Sequence, residues 1–349
     1  MRRTLVFALS LLALPALAAA AGPDFTQHGP LEVGRRIVRW TKASETTGEP
    51  RVLDTLIWYP AAAGSGSPDV VTENAPVAES RWPVILFSHG SCGLPGQSPF
   101  YVETLASWGF VVAAPPHPGN MTTDQDCRDG GSDAGLADSY QNRVADIRFV
   151  LDQLIAASAD PDSPFHRRID PRRVGMSGHS FGGQTTLRVA AAEPRVKGAV
   201  ALAPAAPAGL VVRTPTMVLG SELDTLTPFD TTVAKAYAAL AGPRYLVELL
   251  NTGHCAYALL CAPSFCGGGC EPDALDIETA HDLTLYYAVP FFLKYVAGNG
   301  RFEDRIQPGV EPPYAVAVRR RARRAVLRRR RADRLRPPPT VVNCAASRL

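Results

Sequence analysis

One stretch decides the fold, residues 173–192, which read RVGMSGHSFGGQTTLRVAAA. Its first part, Arg173 to Ser177, predicts a strand, and residues 183–192 predict a helix. Between them Ser180 lies in the pattern Gly-x-Ser-x-Gly, and Gly183 follows it. A strand, a sharp turn with small neighbours and a helix together lift a serine hydroxyl above the edge of a sheet. Ser180 is therefore the candidate nucleophile.

Strand-like and helix-like segments alternate on both sides of this stretch. The other predicted strands are residues 33–39, 52–58, 84–87, 110–114, 196–202, 216–219 and 245–250, and the other predicted helices are residues 101–108, 143–155, 231–240 and 277–296. Such alternation indicates the α/β class, a mainly parallel central sheet with helices on both faces. Residues 115–138 are expected to form a long polar loop. Because only residues 204–213 separate two of the strands, no large cap domain is predicted.

The candidate nucleophile requires a general base, and the base requires an acid that orients it. Where a strand, turn and helix of this kind carry the serine, the chain order is serine, acid, histidine. Two histidines follow Ser180, namely His254 in a loop after a predicted strand and His281 inside an amphipathic helix. His254 is therefore the predicted base. Asp224, which follows another predicted strand, is the predicted acid, and Glu222 is the alternative.

Two backbone N–H groups are predicted to form an oxyanion hole, because ester hydrolysis places negative charge on the former carbonyl oxygen. One is the N–H of Phe181, directly after the candidate nucleophile. The other belongs to the loop after residues 84–87, where Ser91 is the predicted donor and Cys92 the alternative. Of the nearby histidines, His89 and His179 are expected to fix these loops by hydrogen bonds. A further histidine, at position 117, is expected to line the mouth of the site.

The first 21 residues predict a secretory signal peptide. Arg2 and Arg3 precede the apolar run Leu5 to Leu17, and small residues follow as far as Ala21. This run is shorter than the roughly 20 residues that a membrane-spanning helix needs. The protein is therefore expected to be secreted or periplasmic, with no transmembrane segment.

The seven cysteines are candidates for disulfides first and for metal ligands second, because the predicted compartment is oxidising. Four of them lie between Cys255 and Cys270, and the sequence leaves their three possible pairings open. Their spacing lacks the C-x2-C pairs of a zinc site, so disulfides are favoured and no metal site is predicted. Cys92 and Cys127 are candidates for a further bridge, which leaves Cys344 without a partner.

The formal net charge of +3 conceals an uneven distribution. Residues 319–349 hold twelve arginines and one aspartate, a net charge of +11, so residues 1–318 together carry −8. Residues 22–318 are predicted to form the folded domain, and 319–349 to form a disordered tail. The basic run 319–336 is either a solvated segment without a partner or an attachment to an anionic surface such as lipopolysaccharide or, without sequence specificity, nucleic acid.

Several motifs together resemble the platelet-activating-factor acetylhydrolase and predicted dienelactone hydrolase-like group of α/β-hydrolases. They are Val84-Ile85-Leu86-Phe87-Ser88-His89-Gly90, the helix from Arg143 to Leu154, Asp170-Pro171-Arg172-Arg173-Val174, Gly178-His179-Ser180-Phe181-Gly182-Gly183, Asp224 and Gly253-His254. The likeness covers roughly residues 30–300. The chain is also similar to secreted polyester hydrolases of the cutinase type, which share a core without a cap and an exported, disulfide-linked form.

The resemblance implies an α/β-hydrolase fold and hydrolysis of carboxylic esters without a cofactor. True dienelactone hydrolases have a cysteine nucleophile where this chain has Ser180. The sequence thus predicts an exported serine esterase that forms an acyl-enzyme. Two alternatives are a hydrolase-fold protein that binds a surface with lost or incidental catalysis, and an acyltransferase or amidase that uses the same three side chains.

Overall fold

A computed structural model describes residues 22–67, 69–259, 261, 266–306 and 315–316. The predicted signal peptide (1–21), the arginine-rich segment (319–349) and Cys344 lie outside the described residues. None of the helices in these described ranges combines the length and the hydropathy that crossing a bilayer requires.

The described chain alternates strands and helices over most of its length. The strands are β1 (Val33–Ala43), β2 (Pro50–Pro60), β3 (Thr72–Glu73), β4 (Trp82–Ser88), β5 (Val111–Ala114), β6 (Ile169–His179), β7 (Val196–Leu202), β8 (Thr216–Ser221), β9 (Arg244–Leu249) and β10 (Ala315–Val316). The helices are α1 (Pro99–Ser107), α2 (Gln125–Arg128), α3 (Asp133–Ala159), α4 (Phe181–Ala192), α5 (Ala234–Ala238) and α6 (Ile277–Tyr295).

The strands form one sheet in the order β10-β9-β8-β7-β6-β4-β5-β2-β1-β3. Strands β5, β4, β6, β7, β8 and β9 pair in parallel, whereas β1 with β2, β2 with β5, and β9 with β10 pair antiparallel. The carboxyl ends of the parallel strands meet at one edge, where the loops after β4, β6, β8 and β9 lie together. This is the predicted mainly parallel α/β sheet.

Both faces of the sheet are buried, as the apolar run in β4 shows. Ile85 and Phe87 belong to the core cluster that includes residues of α1 and α6. Val84 and Leu86 belong to the cluster on the opposite face, which includes residues of α3 and α4. Successive side chains of a strand point to opposite faces, so a strand covered on both sides is apolar at every position.

Two predicted segments differ from the structure. The segment 115–138, predicted as a loop, contains α2 and the start of α3. Helix α3 begins this early because Ser132 caps it, with Oγ accepting a hydrogen bond from the Gly135 N–H at 3.0 Å. The helix predicted at 231–240 is a π-helical turn, Phe229–Val233, followed by α5. Residues 203–215, between β7 and β8, contain no helix within the described chain, as the predicted lack of a cap requires.

Candidate active site

Ser180 lies at the turn between β6 and α4 in a backbone conformation that L-residues rarely adopt, with φ +59° and ψ −118°. Such strain is typical of a serine presented at the top of a sheet. The neighbouring glycines permit this turn. A Cβ on Gly182 would overlap the carbonyl oxygen of Ser88, and one on Gly178 would lie 2.5 Å from the carbonyl oxygen of Gly182. The Gly-x-Ser-x-Gly spacing is thus required by contacts of the turn with its own backbone and with β4.

His254 and Asp224 are hydrogen-bonded to each other at the same edge of the sheet. His254 Nδ1 lies 2.7 Å from Asp224 Oδ2, and both side chains are buried. The other oxygen, Oδ1, accepts hydrogen bonds from the N–H groups of Leu226 and Thr227, each at 2.8 Å. The Thr227 hydroxyl donates to Oδ2 at 2.7 Å. A carboxylate held by this many donors has a fixed orientation toward the imidazole.

Glu222, the alternative acid, points elsewhere. Its side chain is exposed, and Oε2 accepts a hydrogen bond at 3.0 Å from the N–H of Asn251. Asn251 has a φ of +56° and begins the turn that leads from β9 to His254. Glu222 therefore supports the loop that carries the histidine, whereas Asp224 contacts the histidine itself.

His179 connects the candidate nucleophile to the candidate base. Its Nε2 donates to the carbonyl oxygen of His254 at 2.9 Å, and the two imidazole rings have centroids 4.7 Å apart. Its Nδ1 accepts from the side-chain amide of Gln97 at 3.0 Å. Burial, and then the proximity of His254, lowers the pKa of His179 to about 3, so this ring is neutral. Within the described ranges, no hydrogen bond joins Ser180 Oγ to His254.

The loop after β4 lies directly against the turn at Ser180. A Cβ built on Gly90 would be 3.4 Å from the Cβ of Ser180, and the Gly90 N–H donates to Gln97 Oε1 at 2.9 Å. The backbone N–H groups of Ser91, Cys92 and Phe181 donate no hydrogen bond to any described residue. All three N–H groups are therefore available to donate to an anionic oxygen. Ser91 directly follows Gly90, the residue of this loop that approaches Ser180.

Three disulfides brace these loops. Cys92 is bonded to Cys127, which confirms the predicted pair. Among the four downstream cysteines, the pairs are Cys255 with Cys266 and Cys261 with Cys270. One bridge therefore begins next to Ser91 and another next to His254. Of the described side chains, only Cys261, Cys266 and Cys270 place three potential metal ligands within 4.8 Å of one another, and disulfide sulfurs lack the thiolate that metal binding requires.

His117 is fully buried rather than at the mouth of the site, so that prediction is wrong. Its Nδ1 lies 3.1 Å from Asp146 Oδ2, and its Nε2 lies 2.9 Å from Ser88 Oγ. Burial, and then the charges of Arg143 and Arg51, lowers the pKa of His117 well below its usual range. The ring is a neutral link between α3 and the end of β4.

Sequence reasoning missed the polar residues of α3 that lie beneath the site. Arg143 and Asp146 are fully buried, although they alternate with the apolar positions from which the helix was predicted. The signal was a spacing of four, three and four residues from Ser139 through Arg143 and Asp146 to Val150. That spacing places all four on one helix face, and all four are buried.

The sheet, its helices and the serine turn define the α/β-hydrolase fold. A ferulic acid esterase from Streptomyces cinnamoneus superposes with a TM-score of 0.62 at 24% identity, over 80% of this chain and 94% of that one. A family model described as PET hydrolase-like matches residues 100–260. A second, platelet-activating factor acetylhydrolase, isoform II, matches residues 43–128.

Curated relatives show the same resemblance. Cutinase 2 of Thermobifida cellulosilytica is 30% identical over 180 residues, which are 48% of this chain and 62% of that protein. Lipase 1 of Moraxella sp. (strain TA144) is 30% identical over 151 residues, 43% of this chain and 41% of that protein. The chain spans less than two thirds of the length of these relatives. Both predicted similarities, to the platelet-activating-factor acetylhydrolase group and to cutinases, are confirmed.

Proposed function

We propose that the chain is an exported carboxylic ester hydrolase that forms an acyl-enzyme on Ser180. One observation carries the proposal, namely the hydrogen-bonded pair of His254 and Asp224 at the sheet edge where the strained turn presents Ser180. Relatives named as cutinases and a lipase support the reaction class. The three disulfides support export, because such bonds persist in oxidising compartments.

In the first step, Ser180 Oγ attacks the ester carbonyl carbon while His254 Nε2 takes the hydroxyl proton. The carbonyl π electrons move to oxygen, and the N–H groups of Ser91 and Phe181 stabilise that oxyanion. Collapse of the intermediate breaks the bond to the alcohol, which leaves with the proton from His254. Water then attacks the acyl-enzyme in the same way, His254 takes its proton and returns it to Ser180 Oγ, and the carboxylic acid is released.

Asp224 orients the base in both half-reactions. Its Oδ2 accepts a hydrogen bond from Nδ1–H of His254, which leaves Nε2 as the basic nitrogen and stabilises the imidazolium that forms. In this mechanism the hydrogen bond from Ser180 Oγ to His254 Nε2 forms when the substrate binds, because catalytic hydrogen bonds commonly tighten only in the substrate complex.

The surroundings of the site favour esters with apolar groups. Leu94, Leu226 and Leu259 are 42%, 54% and 56% exposed. They lie in the loops that carry Ser91, the acid and the base. Exposed leucines around a site without a cap can contact an apolar acyl or alcohol group, and burying such a side chain is worth about 1.5–3 kcal/mol.

The proposal is tested with Ser180→Ala on p-nitrophenyl butyrate. We expect kcat to fall by at least about 10⁴-fold, because the covalent intermediate cannot form. Ser177→Ala is the matched control, a buried serine on β6 whose hydroxyl contacts Tyr101 and the carbonyl oxygen of Val200. Hydrolysis that persists in purified Ser180→Ala would refute the proposal.

Export is tested by sequencing the N-terminus of the mature protein, which is expected near Gly22. Protein that keeps Met1 and stays in the cytoplasm would contradict export.

A further inference from the structure

Arg143 is fully buried beneath the loop after β4, and all three nitrogens of its guanidinium donate hydrogen bonds. Its acceptors are Ser139 Oγ (2.9 Å), the His89 carbonyl (2.6 Å), Ser88 Oγ (3.2 Å), the Gly90 carbonyl (3.2 Å) and Asn120 Oδ1 (2.7 Å). Burying a charge is costly unless its hydrogen bonds are satisfied. Three of these five acceptors belong to the loop after β4, which lies against Ser180, and to the loop after β5, so Arg143 links the two loops.

The Gly90 carbonyl is the acceptor that matters most for the chemistry. It receives the guanidinium, Nδ1–H of His89 at 2.8 Å and the Gly93 N–H at 3.3 Å. This carbonyl belongs to the same peptide unit as the N–H of Ser91. Because that unit is planar and trans, a carbonyl fixed on Arg143 fixes the N–H of Ser91 in the opposite direction. Three donors on the carbonyl also polarise the peptide and make its N–H a stronger donor.

Arg143 contacts the side chain of Phe181 directly and reaches the side chain of Ser91 through Asn120. Its guanidinium lies over the ring of Phe181 with 4.3 Å between the guanidinium carbon and the ring centroid, which is cation–π geometry. Through Asn120, whose Nδ2 donates to Ser91 Oγ at 3.2 Å, it also restrains the Ser91 side chain. One buried cation therefore contacts or restrains both residues whose N–H groups are the proposed oxyanion donors.

We propose that Arg143 is a positioning residue that holds the N–H groups of Ser91 and Phe181 at the spacing that the oxyanion requires. The inference rests on the proposed ester hydrolysis and deepens it. Preorganised donors stabilise a transition state because they do not have to reorganise during the reaction. A side chain that fixes the donors therefore acts on kcat and leaves ground-state binding of the ester unchanged.

The test compares Arg143→Lys with Arg188→Lys on p-nitrophenyl butyrate. Lysine presents one compact nitrogen in place of the planar fork of donors, and it cannot reach the carbonyls, Asn120 and the Phe181 ring together. We expect kcat of Arg143→Lys to fall about 100-fold, with KM changed less than about threefold. Arg188 is the matched control, since its guanidinium lies over the ring of Tyr140 and does not contact the loop after β4. Its substitution is expected to leave both constants within about twofold of the wild-type values.

A ligand pair separates positioning from general loss of structure. A trifluoromethyl ketone forms an oxyanion on the enzyme, so its inhibition constant should rise in Arg143→Lys by the same factor as kcat falls. The corresponding secondary alcohol forms none and should bind unchanged. If Arg143→Lys does not fold, Asn120→Ala breaks the link to Ser91. Its kcat should fall about 10-fold, with a matching rise in the inhibition constant of the ketone and unchanged binding of the alcohol.

The outcomes distinguish the two proposals. Unchanged kcat in folded Arg143→Lys overturns the positioning role, and so does unchanged kcat in Asn120→Ala where Arg143→Lys does not fold. An equal loss of affinity for the ketone and the alcohol also overturns it. If Ser180→Ala is inactive while these variants are fully active, only the positioning role fails. If Ser180→Ala retains activity, the proposed function itself fails.

Discussion

Asp224 and Glu222 are two residues apart after β8, yet their carboxylates have different neighbours. Asp224 is buried and bonded to His254, whereas Glu222 is exposed and bonded to the N–H of Asn251. Burial alone would raise the pKa of Asp224, but hydrogen bonding and charge from His254, together with the donors of Thr227, hold it below its usual range. Asp224 therefore stays ionised beside the imidazole, as its proposed orienting role requires.

Replacing Asp224 by Asn should lower kcat on p-nitrophenyl butyrate by about 10³–10⁴-fold, because an amide can hold His254 in the wrong tautomer. KM should change little. Glu222→Gln is the matched control and should retain kcat within about threefold, since the amide oxygen can still accept from Asn251. Equal losses in the two variants, measured by steady-state kinetics, would contradict the different roles of the two carboxylates.

Sequence motifs predicted the residues whose chemistry depends on chain order. Ser180 and His254 follow from the glycine pattern and from the small number of downstream histidines. Arg143 could not be predicted in this way, because a buried arginine and an exposed one look alike on a helix until the loop that supplies its acceptors is known. His117 was likewise mispredicted, because its buried partners, Asp146 and Ser88, lie in distant segments of the chain.

At the scale of secondary-structure elements, the site is a set of loops that follow parallel strands. The strands were predictable because those covered on both faces are continuous apolar runs, as in residues 84–87. The beginning of α3 was not, because residues 133–142 are mainly polar and small. Asn142 lies in this part, and its Oδ1 accepts from the Glu45 N–H at 2.8 Å, a contact between distant segments that periodicity does not reveal.

The bridge from Cys92 to Cys127 joins the loop after β4 to α2 across a sequence separation of 35 residues. In the chain-entropy model, closing a loop of this size stabilises a fold by about 3–4 kcal/mol. We expect the double variant Cys92→Ser, Cys127→Ser to have a lower Tm and a lower kcat, because Cys92 adjoins Ser91. The pair Cys261→Ser, Cys270→Ser is the control, expected to lower Tm with less effect on kcat. Calorimetry and kinetics that show the reverse order for kcat would contradict this account.

At the scale of the whole molecule, one sheet brings together loops that are far apart in sequence. Ser91, Ser180, Asp224 and His254 each follow a different parallel strand, so the candidate site depends on the parallel part of the sheet from β4 to β9. The arginine-rich run 319–336 and its attachment to an anionic surface stay a prediction, since that segment lies outside the described residues.

Stability toward acid should depend on Glu193, which follows α4. Hydrogen bonds from Arg195, and further ones from Arg148, lower the pKa of Glu193 to about 2, against a usual value of 4.5. The stability from this carboxylate is therefore complete above about pH 4.5 and is lost as the pH falls toward 2. Glu193→Gln should lower Tm at pH 6 and flatten the decline of Tm between pH 5 and pH 2.

The control for this prediction is Glu79→Gln. The Glu79 side chain is 92% exposed, and its Oε1 lies 3.8 Å from Nη2 of Arg168. Exposed ion pairs contribute little, so Tm of this variant should follow that of the wild type at every pH. A Glu193→Gln variant with the same decline of Tm in acid as the wild type would show that its ion pairs do not stabilise the fold.

The most direct test of the central claim is the mass of the protein during turnover of p-nitrophenyl butyrate, quenched in acid and followed by peptide mapping. We predict a fraction of the protein that carries one butyryl group in place of one proton, with the modification on the peptide that contains Ser180. The modified fraction should be absent in Ser180→Ala. A butyryl group on another residue, or rapid hydrolysis by Ser180→Ala, would contradict the account.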